Sequence, residues 1–464
     1  MAERRKTDTP AGESKPTRLQ LALFSFPSLP HAFIALPLNI VIPAYYAAHT
    51  AVTLLQIASV TTASRILDAV LDPTIGYLSD RTKSRLGRRK PWVLAAAIVC
   101  SIAIYFLFQP PPKADFVYYG VWSFLLYFGF TLFEIPRGAW TAEVTRDYHQ
   151  RARLNTYVAI FNVVGSLVFW LMPLALSRLT GTMAITGATL SGIAWLYVAL
   201  MPVGVILAVL FVSSGIQTQE KLSTVRQMLQ SFGRNKPLWN YYGAISAWGL
   251  GQGAYLSVIL IFLSDYLQMA QYFPVLMIAF FIVQAVTMPL WQWIVTRHGR
   301  HRVWAVTMTL DALSRPLILL LAPGAGMVPL LAIGALGAFL NAPANFCPTA
   351  ILGDVADYDL MKSGMNKTGN LYAFNTLLIK ATMALGAGFA FLMLDMFHYK
   401  VGHSNGAHAN LGLLLCYLVF PALLYFIASA IAWFFPIDAA RHSVIRRRIE
   451  RRVVVEPLLG TPVP

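Results

Sequence analysis

Three charged residues share one face of a long apolar segment near the N-terminus. Arg65, Asp68 and Asp72 are spaced i, i+3 and i+7, which places them on one side of a helix. Because charges are costly in lipid, this face is expected to line a protein interior or a water-filled cavity. Two neighbouring carboxylates there would bind a cation, share a proton or pair with a basic residue. A purely structural ion-pair cluster is the alternative interpretation.

A lysine lies in the middle of a later apolar segment. An unpaired buried lysine would lose its charge, so Lys380 is expected to have a carboxylate partner. Snorkelling to the membrane surface is the alternative, which so deep a position disfavours. We interpret Arg65 and Lys380 as coupling residues. Asp311 and Arg315, four residues apart in another apolar segment, are interpreted as a structural ion pair.

The composition is that of a membrane protein. The chain has 464 residues, of which 57% are hydrophobic and only 12% charged, whereas soluble domains have roughly 25% charged residues. The formal charge of +16 does not indicate nucleic-acid binding, because the basic residues lie in short loops between apolar segments. The three cysteines lie in apolar segments without metal-binding or disulfide spacing. No nucleophile, metal or cofactor motif indicates an enzyme.

Hydropathy predicts an all-α membrane protein with twelve transmembrane helices in two six-helix halves, because each apolar segment is near the ~20 residues needed to cross a bilayer. The predicted spans are 21–48, 51–79, 92–112, 116–144, 154–180, 187–213, 238–268, 271–295, 303–322, 327–352, 371–399 and 410–435. The predicted divisions are a tail 1–20, an N-terminal half 21–213, a connector 214–236 with an interfacial helix, a C-terminal half 237–436 and a basic tail 437–464.

The distribution of basic residues predicts the orientation. If both termini lie on one side, 29 of the 36 Lys and Arg residues lie on that side and three on the other. The positive-inside rule then places both termini in the cytoplasm, with the protein in the inner cell membrane. The two halves also echo each other: Pro136 is followed by EVTRDY and Pro348 by DVADYD. Such duplication is typical of the major facilitator fold, whose substrate cavity lies between the halves.

Four separated motifs resemble the glycoside–pentoside–hexuronide:cation symporters of the major facilitator superfamily. They are DAVLDPTIG with SRLGRRKP after the second span, EIP in the fourth span, DVADY before span eleven, and NTLLIK within that span. The resemblance covers nearly all of the chain. It implies alternating access with symport of a small organic solute and a cation, either H⁺ or Na⁺. It implies a monomer with solute, cation and lipid as partners, and no cofactor or metal besides a coupling Na⁺.

The resemblance also assigns residues to roles. It implies a cation site at Asp68 and Asp72 that is assisted by Thr131, with Lys380 close to both aspartates. It implies that Glu134 accepts hydrogen bonds from the hydroxyl groups of a sugar. The other expected substrate contacts, which neighbour these residues or line the same cavity, are Arg137, Trp140, His31, Asn375 and Thr376. For His31, a role in helix packing is an equally good interpretation.

The chain departs from the family pattern at several positions. Leu71 stands where sodium-using members commonly have Asn, and losing that oxygen ligand favours H⁺ over Na⁺. Ala32, Gly138 and a fifth span without the usual Arg replace three sugar contacts. Because each unpaired hydroxyl costs roughly 1–3 kcal/mol, a substrate less polar than a simple pyranoside is expected. An amphiphilic or lipid-like solute, or a nontransporting sensor, is the alternative function.

Charges near the predicted cytoplasmic surface are expected to form a gate. By family analogy, acidic and basic side chains on opposite halves pair when the inner side closes and separate when it opens. Its members are Arg151, Arg297, Arg300, Asp354 and Asp357. Solvated loop charges without a gating role are the alternative.

Overall fold

The computed structural model describes residues 17–35, 37–144, 148–214, 235–363, 368–438 and 441–448. Within these ranges the chain forms helices and no strands, and twelve helical segments are long and apolar enough to cross a membrane. The interfacial helix predicted between the halves falls on residues 215–234, outside the described ranges. The side from which residues 17 and 438 leave the bundle is called the termini side, and the opposite side the far side.

The helices of the N-terminal half are α1 Arg18–Ser25, α2 Ser28–Ala35, α3 Pro37–His49, α4 Leu54–Arg81, α5 Lys90–Leu107, α6 Phe116–Val144, α7 Tyr148–Thr180 and α8 Gly187–Phe211. Those of the C-terminal half are α9 Lys236–Ile261, α10 Phe273–His298, α11 Arg300–Ser314, α12 Met327–Asn341, α13 Cys347–Ser363, α14 Thr368–Met396, α15 Ala407–Leu414 and α16 Phe420–Trp433. A π-helical turn, Phe262–Tyr266, extends α9, and another, Leu415–Val419, joins α15 to α16.

Two predicted spans differ from the observed helices. The first span contains a break at Phe26 and Pro27, between α1 and α2, because proline lacks the N–H that continues a helix. The tenth span was predicted to end at residue 352, but α13 continues to Ser363. Hydropathy detects the apolar part of a helix and misses its polar last turns.

The two halves pack against each other on the far side. The rings of Trp170 and Phe273 meet edge to face with centroids 5.4 Å apart, and Thr62 lies against Gly388. One hydrophobic core combines the N-terminal half with the far-side part of the C-terminal half. On the termini side, a second core consists only of residues from the C-terminal half. From this asymmetry we infer that a cavity between the halves opens toward the termini side.

A far-side loop reinforces this closed junction. Asp265, in the π-helical turn after α9, accepts hydrogen bonds from the Tyr399 hydroxyl at 3.1 Å and the Gly402 N–H at 2.9 Å. Burial and the negative charge of Asp265 raise the pKa of Tyr399 above its ordinary value. Gly402 in turn lies against Ala48 of α3. The loop thus connects the end of α9 to the opposite half.

On the termini side, a buried lysine joins two helices of the N-terminal half. The Lys90 ammonium donates hydrogen bonds to the carbonyl oxygens of Val209 and Val212, at 2.8 and 2.7 Å. These carbonyls end α8, where a positive charge also interacts favourably with the helix dipole. Lys90 is only 8% exposed, so its position is structural.

We expect Lys90→Met to lower the thermal stability of the purified protein without changing its ligand preference. Methionine keeps the apolar contacts but leaves two carbonyls without a donor, at about 1–3 kcal/mol for each buried group left unsatisfied. A thermal unfolding curve in detergent measures the change. Lys83→Met, at an exposed position of the neighbouring loop, is the matched control, and equal melting temperatures for the two variants would contradict the expectation.

Candidate functional site

Glu134 of α6 joins helices from both halves of the protein. Its Oε1 lies 3.3 Å from Nε2 of His31 on α2, and its Oε2 accepts a hydrogen bond from the Lys380 ammonium at 2.5 Å. The side chains of Glu134 and Lys380 are 39% and 33% exposed, so the pair lines the cavity rather than a sealed core. The carboxylate partner expected for Lys380 is therefore Glu134, a residue that the sequence assigned to the substrate.

The packing of α4 on α6 places the predicted cation ligands at one depth. Val60 lies against Gly120 and Ile135 lies against Gly76, so the two helices run parallel with an offset of about 60 residues. The same offset puts Thr131 level with Asp72. Thr131 is 5% exposed, so its hydroxyl is available only to groups inside the bundle.

The packing of α4 against α14 places Lys380 at the level of the two aspartates. The helices run antiparallel and Thr62 contacts Gly388, so eight residues back along α14 Lys380 lies opposite residue 70. Asp68 and Asp72 flank that position, and both interact electrostatically with the Lys380 ammonium. Asp68 is 6% exposed. The side chain of Arg65 lies outside the described residues, so its predicted coupling role stays a prediction.

His31 is held by aromatic rings next to Glu134. Its ring centroid lies 4.6 Å from that of Phe130 and 4.9 Å from that of Phe133. Nδ1 has no hydrogen-bond partner among the described residues, while Nε2 faces Glu134. The helix-packing and cavity-lining interpretations of His31 therefore both describe its position, since one edge is packed and the other meets the acid.

Arg137 and Trp140 lie deeper in the N-terminal half than the sequence predicted. The Arg137 guanidinium donates a hydrogen bond to the Ser28 hydroxyl and lies 5.3 and 5.1 Å from the ring centroids of Phe24 and Phe133. Trp140 is 1% exposed, and its indole N–H donates to the Ser213 carbonyl at 2.9 Å. In this conformation Trp140 is a packing residue, and we do not include it in the substrate site.

Asn375 and Thr376 of α14 lie on different faces of the helix. Asn375 is 5% exposed and accepts a hydrogen bond from the Tyr241 hydroxyl of α9 at 2.9 Å. Thr376 is exposed, lies one turn before Lys380, and donates to the Tyr372 carbonyl of its own helix. Thr376 thus lies on the face of Lys380, whereas Asn375 holds α14 against α9.

The predicted gate carboxylates pair within their own half. Arg300 donates to Oδ1 of Asp354 at 2.6 Å. His442, from the helix at 441–448, lies 3.4 Å from Asp354 and 2.9 Å from Oδ2 of Asp357. Pairing of these carboxylates across the halves, expected when the inner side closes, stays a prediction.

The three basic residues predicted for the gate differ in their placement. Arg297 is exposed, and its guanidinium lies 4.0 Å from the centroid of the Trp293 ring, one turn earlier on α10. Arg300, also predicted for the gate, is the partner of Asp354. The side chain of Arg151 lies outside the described residues, so its role stays a prediction.

The ion pair predicted between Asp311 and Arg315 is confirmed. Nη2 of Arg315 donates to Oδ2 of Asp311 at 3.0 Å. Sequence reasoning missed its surroundings: the guanidinium lies over the rings of Tyr255 and Tyr425, at 4.0 and 4.6 Å from their centroids. It also missed His442 as a partner of the gate carboxylates. A histidine in a basic tail shows no periodicity that would have indicated its contact with these carboxylates.

Comparison with known proteins agrees with this architecture. The sequence model of the family described as MFS/sugar transport protein matches residues 23–439. The uncharacterized symporter YnaJ of Bacillus subtilis is 24% identical over 84% of this chain and 85% of its own. The isoprimeverose transporter of Lactiplantibacillus pentosus is 24% identical over 81% of this chain and 79% of its own.

A solved structure carries the same arrangement of helices. The crystal structure of the nucleoside transporter NupG superimposes with a TM-score of 0.62 at 12% identity, covering 91% of this chain and 100% of that chain. At this identity the likeness shows the fold alone, which is the predicted major facilitator fold. Because the family model matches most of the chain, the chain belongs to the MFS/sugar transport protein family. It is therefore a multi-pass secondary active symporter, not an enzyme.

Proposed function

We propose that this symporter moves a sugar- or glycoside-like solute together with a cation, and that the contact between Glu134 and Lys380 couples the two. The single observation that carries the proposal is that this charge pair joins α6 of one half to α14 of the other within the open cavity. The family description and the named sugar relative support the solute class.

Lys380 has two sets of negative partners, and this suggests how coupling works. It bonds Glu134 while lying level with the interval between Asp68 and Asp72. A cation bound at the aspartates offsets their attraction for the lysine and leaves it with Glu134. Without the cation, Lys380 is drawn toward the aspartates, and Glu134 loses the partner that holds its carboxylate in position for the solute. Solute affinity at Glu134 is then higher when the cation is bound, which is the requirement for symport.

The open cavity on the termini side assigns a conformation within this cycle. If the termini are cytoplasmic, as the basic loops indicate, the described arrangement is inward-facing. Closure on that side would bring the carboxylates of α13 toward the N-terminal half, where the predicted partner is Arg151. We propose that the protein works as a lipid-embedded monomer in the inner membrane, with no cofactor besides its coupling ion.

For the coupling ion we expect H⁺ rather than Na⁺. Leu71 lies between the aspartates in sequence and offers no oxygen ligand, whereas Na⁺ needs several. A shared proton needs only the two carboxylates. Uptake into vesicles with a proton gradient and no sodium, compared with a sodium gradient at equal pH on both sides, separates the ions. Strict dependence of uptake on sodium would contradict this assignment.

The solute class is tested by thermal stabilisation of the purified protein. A ligand that binds only the folded state raises the unfolding temperature in proportion to RT ln(1 + [L]/Kd). We expect 4-nitrophenyl glycosides to stabilise the wild type more than methyl glycosides do, and to fail with Glu134→Gln, because the carboxylate is the proposed acceptor of the sugar hydroxyls. A panel of nucleosides and lysophospholipids, tested alongside, provides the opposing result: stabilisation by these alone would show the assignment wrong.

A further inference from the structure

A second cavity lies among the helices of the C-terminal half, with Ile40 of α3 contributed by the other half. Its volume is about 300 Å³, at the lower end of the range for small-molecule pockets. Met383 lines it, and Met383 follows Lys380 by one turn of α14. The cavity therefore lies along the same helix as Lys380, about one turn from it.

One wall of this cavity carries a chain of uncharged amides. Gln284 of α10 donates a hydrogen bond to Oδ1 of Asn341 at 3.4 Å and accepts one from Nδ2 of Asn345 at 3.2 Å. Each amide has two N–H donors and two acceptor lone pairs. These two bonds leave most of that capacity unused, and hydroxyl or carbonyl oxygens are the groups that would use it without adding charge.

A buried cation on the opposite wall lacks acceptors for two of its donor atoms. Arg315 lines the cavity and its side chain is only 7% exposed. Nη2 is bonded to Asp311, but Nε and Nη1 meet no hydrogen-bond acceptor within the described ranges. Buried donors of this kind cost free energy unless an oxygen reaches them. Because Asp311 already balances the charge of Arg315, an uncharged oxygen fits better than an anion.

The rest of the lining is flat and apolar. Trp248 and Tyr255 of α9, with Phe280 and Phe281 of α10, face the same space. Such rings bind planar or ring-shaped groups by stacking and edge contacts. The cavity therefore combines surfaces for a ring with a few uncharged hydrogen-bonding positions.

We propose that this cavity is a second substrate subsite that holds the uncharged, ring-shaped aglycone of a glycoside, while the sugar is held at Glu134. This inference rests on the proposed function and deepens it by naming the substrate's second part. Amides and the Arg315 donors bind one or two oxygens on the aglycone, and the aromatic wall contacts its ring. Contacts to the aglycone in this subsite would compensate for the three sugar contacts that the N-terminal half lacks.

The chain offers a glycine at which the cavity can be filled without a clash. Gly337 of α12 lines the cavity, and a Cβ added there meets no atom within 4 Å. Leucine is also a better helix former than glycine, so Gly337→Leu is expected to fold. Gly334 is unsuitable, because a Cβ there would lie 2.2 Å from Leu276. Leu336→Phe adds bulk to the same helix at a position 38% exposed and is the matched control.

The test compares methyl and 4-nitrophenyl glycosides of glucose, galactose and xylose by thermal stabilisation and by calorimetric Kd. In the wild type we expect the nitrophenyl form of the accepted sugar to bind more tightly than its methyl form. Gly337→Leu should weaken the nitrophenyl glycoside roughly tenfold and leave the methyl glycoside within about twofold. Leu336→Phe should change neither.

Three results would overturn the inference. If Gly337→Leu leaves the nitrophenyl glycoside unaffected, the subsite is wrong while glycoside transport stands. If Gly337→Leu weakens both forms equally, the cavity does not distinguish the aglycone from the sugar. If the wild type binds neither form of any of the three sugars, the proposed solute class fails and the subsite fails with it.

Discussion

Lys380→Met is expected to reduce the initial rate of solute uptake about 100-fold, and Glu134→Gln by a similar factor. Removing one partner of a fully buried ion pair costs about 3–5 kcal/mol, because the other charge is left unpaired. Both side chains here are about one-third exposed, so a smaller cost of roughly 2–3 kcal/mol is expected. Where that cost falls on the rate-limiting transport step, which needs the pair, it corresponds to the stated factor. Uptake into vesicles at saturating cation gradient measures the change.

The double variant Glu134→Gln/Lys380→Met distinguishes coupling from simple stabilisation. With both charges removed, neither member of the pair is left without its partner, so the melting temperature should recover toward the wild type. Uptake should not recover, because the solute has lost its acceptor and the cation site has lost its link. Lys400→Met, on an exposed far-side loop, controls for loss of a charge. Wild-type uptake by the double variant would reduce the pair to a structural contact.

The fold was predictable because, in a lipid bilayer, the hydrophobicity of a segment is nearly sufficient to identify it as a membrane-spanning helix. The apolar segments and the basic loops between them predicted twelve membrane-spanning segments in two halves. What hydropathy missed were helix ends and breaks. The helix α13 continues through Asp354 and Asp357, since its backbone hydrogen bonds do not depend on apolar side chains. The break in the first span followed from its prolines, although their number did not show that Pro27 is the one at the break.

The candidate site was predictable as a list of residues and less so as a set of contacts. Their spacing placed Asp68 and Asp72 on one face of a helix. The depth of Lys380 in an apolar segment required a carboxylate partner for its charge. It did not show that the carboxylate would come from α6, since the depth at which two distant helices meet depends on small residues such as Gly76 and Gly388. Likewise Trp140 was assigned by proximity to Glu134, but six positions along a helix turn a side chain to a different face.

Asp68→Asn and Asp72→Asn are each expected to abolish accumulation of solute against its gradient. Asparagine keeps the size of the side chain and its capacity for hydrogen bonds but removes the charge that attracts a cation or proton. Accumulation requires the downhill movement of that ion, so without it the internal solute concentration should only reach the external one. The ratio of internal to external solute, measured with proton and sodium gradients imposed together, reports this loss whichever ion is used.

The same variants should still exchange solute across the membrane, and this separates loss of coupling from loss of folding. Glu134 and Lys380 remain in both variants, so labelled solute should equilibrate with unlabelled solute on the other side at a measurable rate. Asp115→Asn, at an exposed position that begins α6, controls for loss of an acidic residue and should accumulate solute normally. Because Asp68 and Asp72 both interact with Lys380, either substitution alone is expected to be sufficient. Wild-type accumulation by both variants would place the cation site elsewhere in the chain.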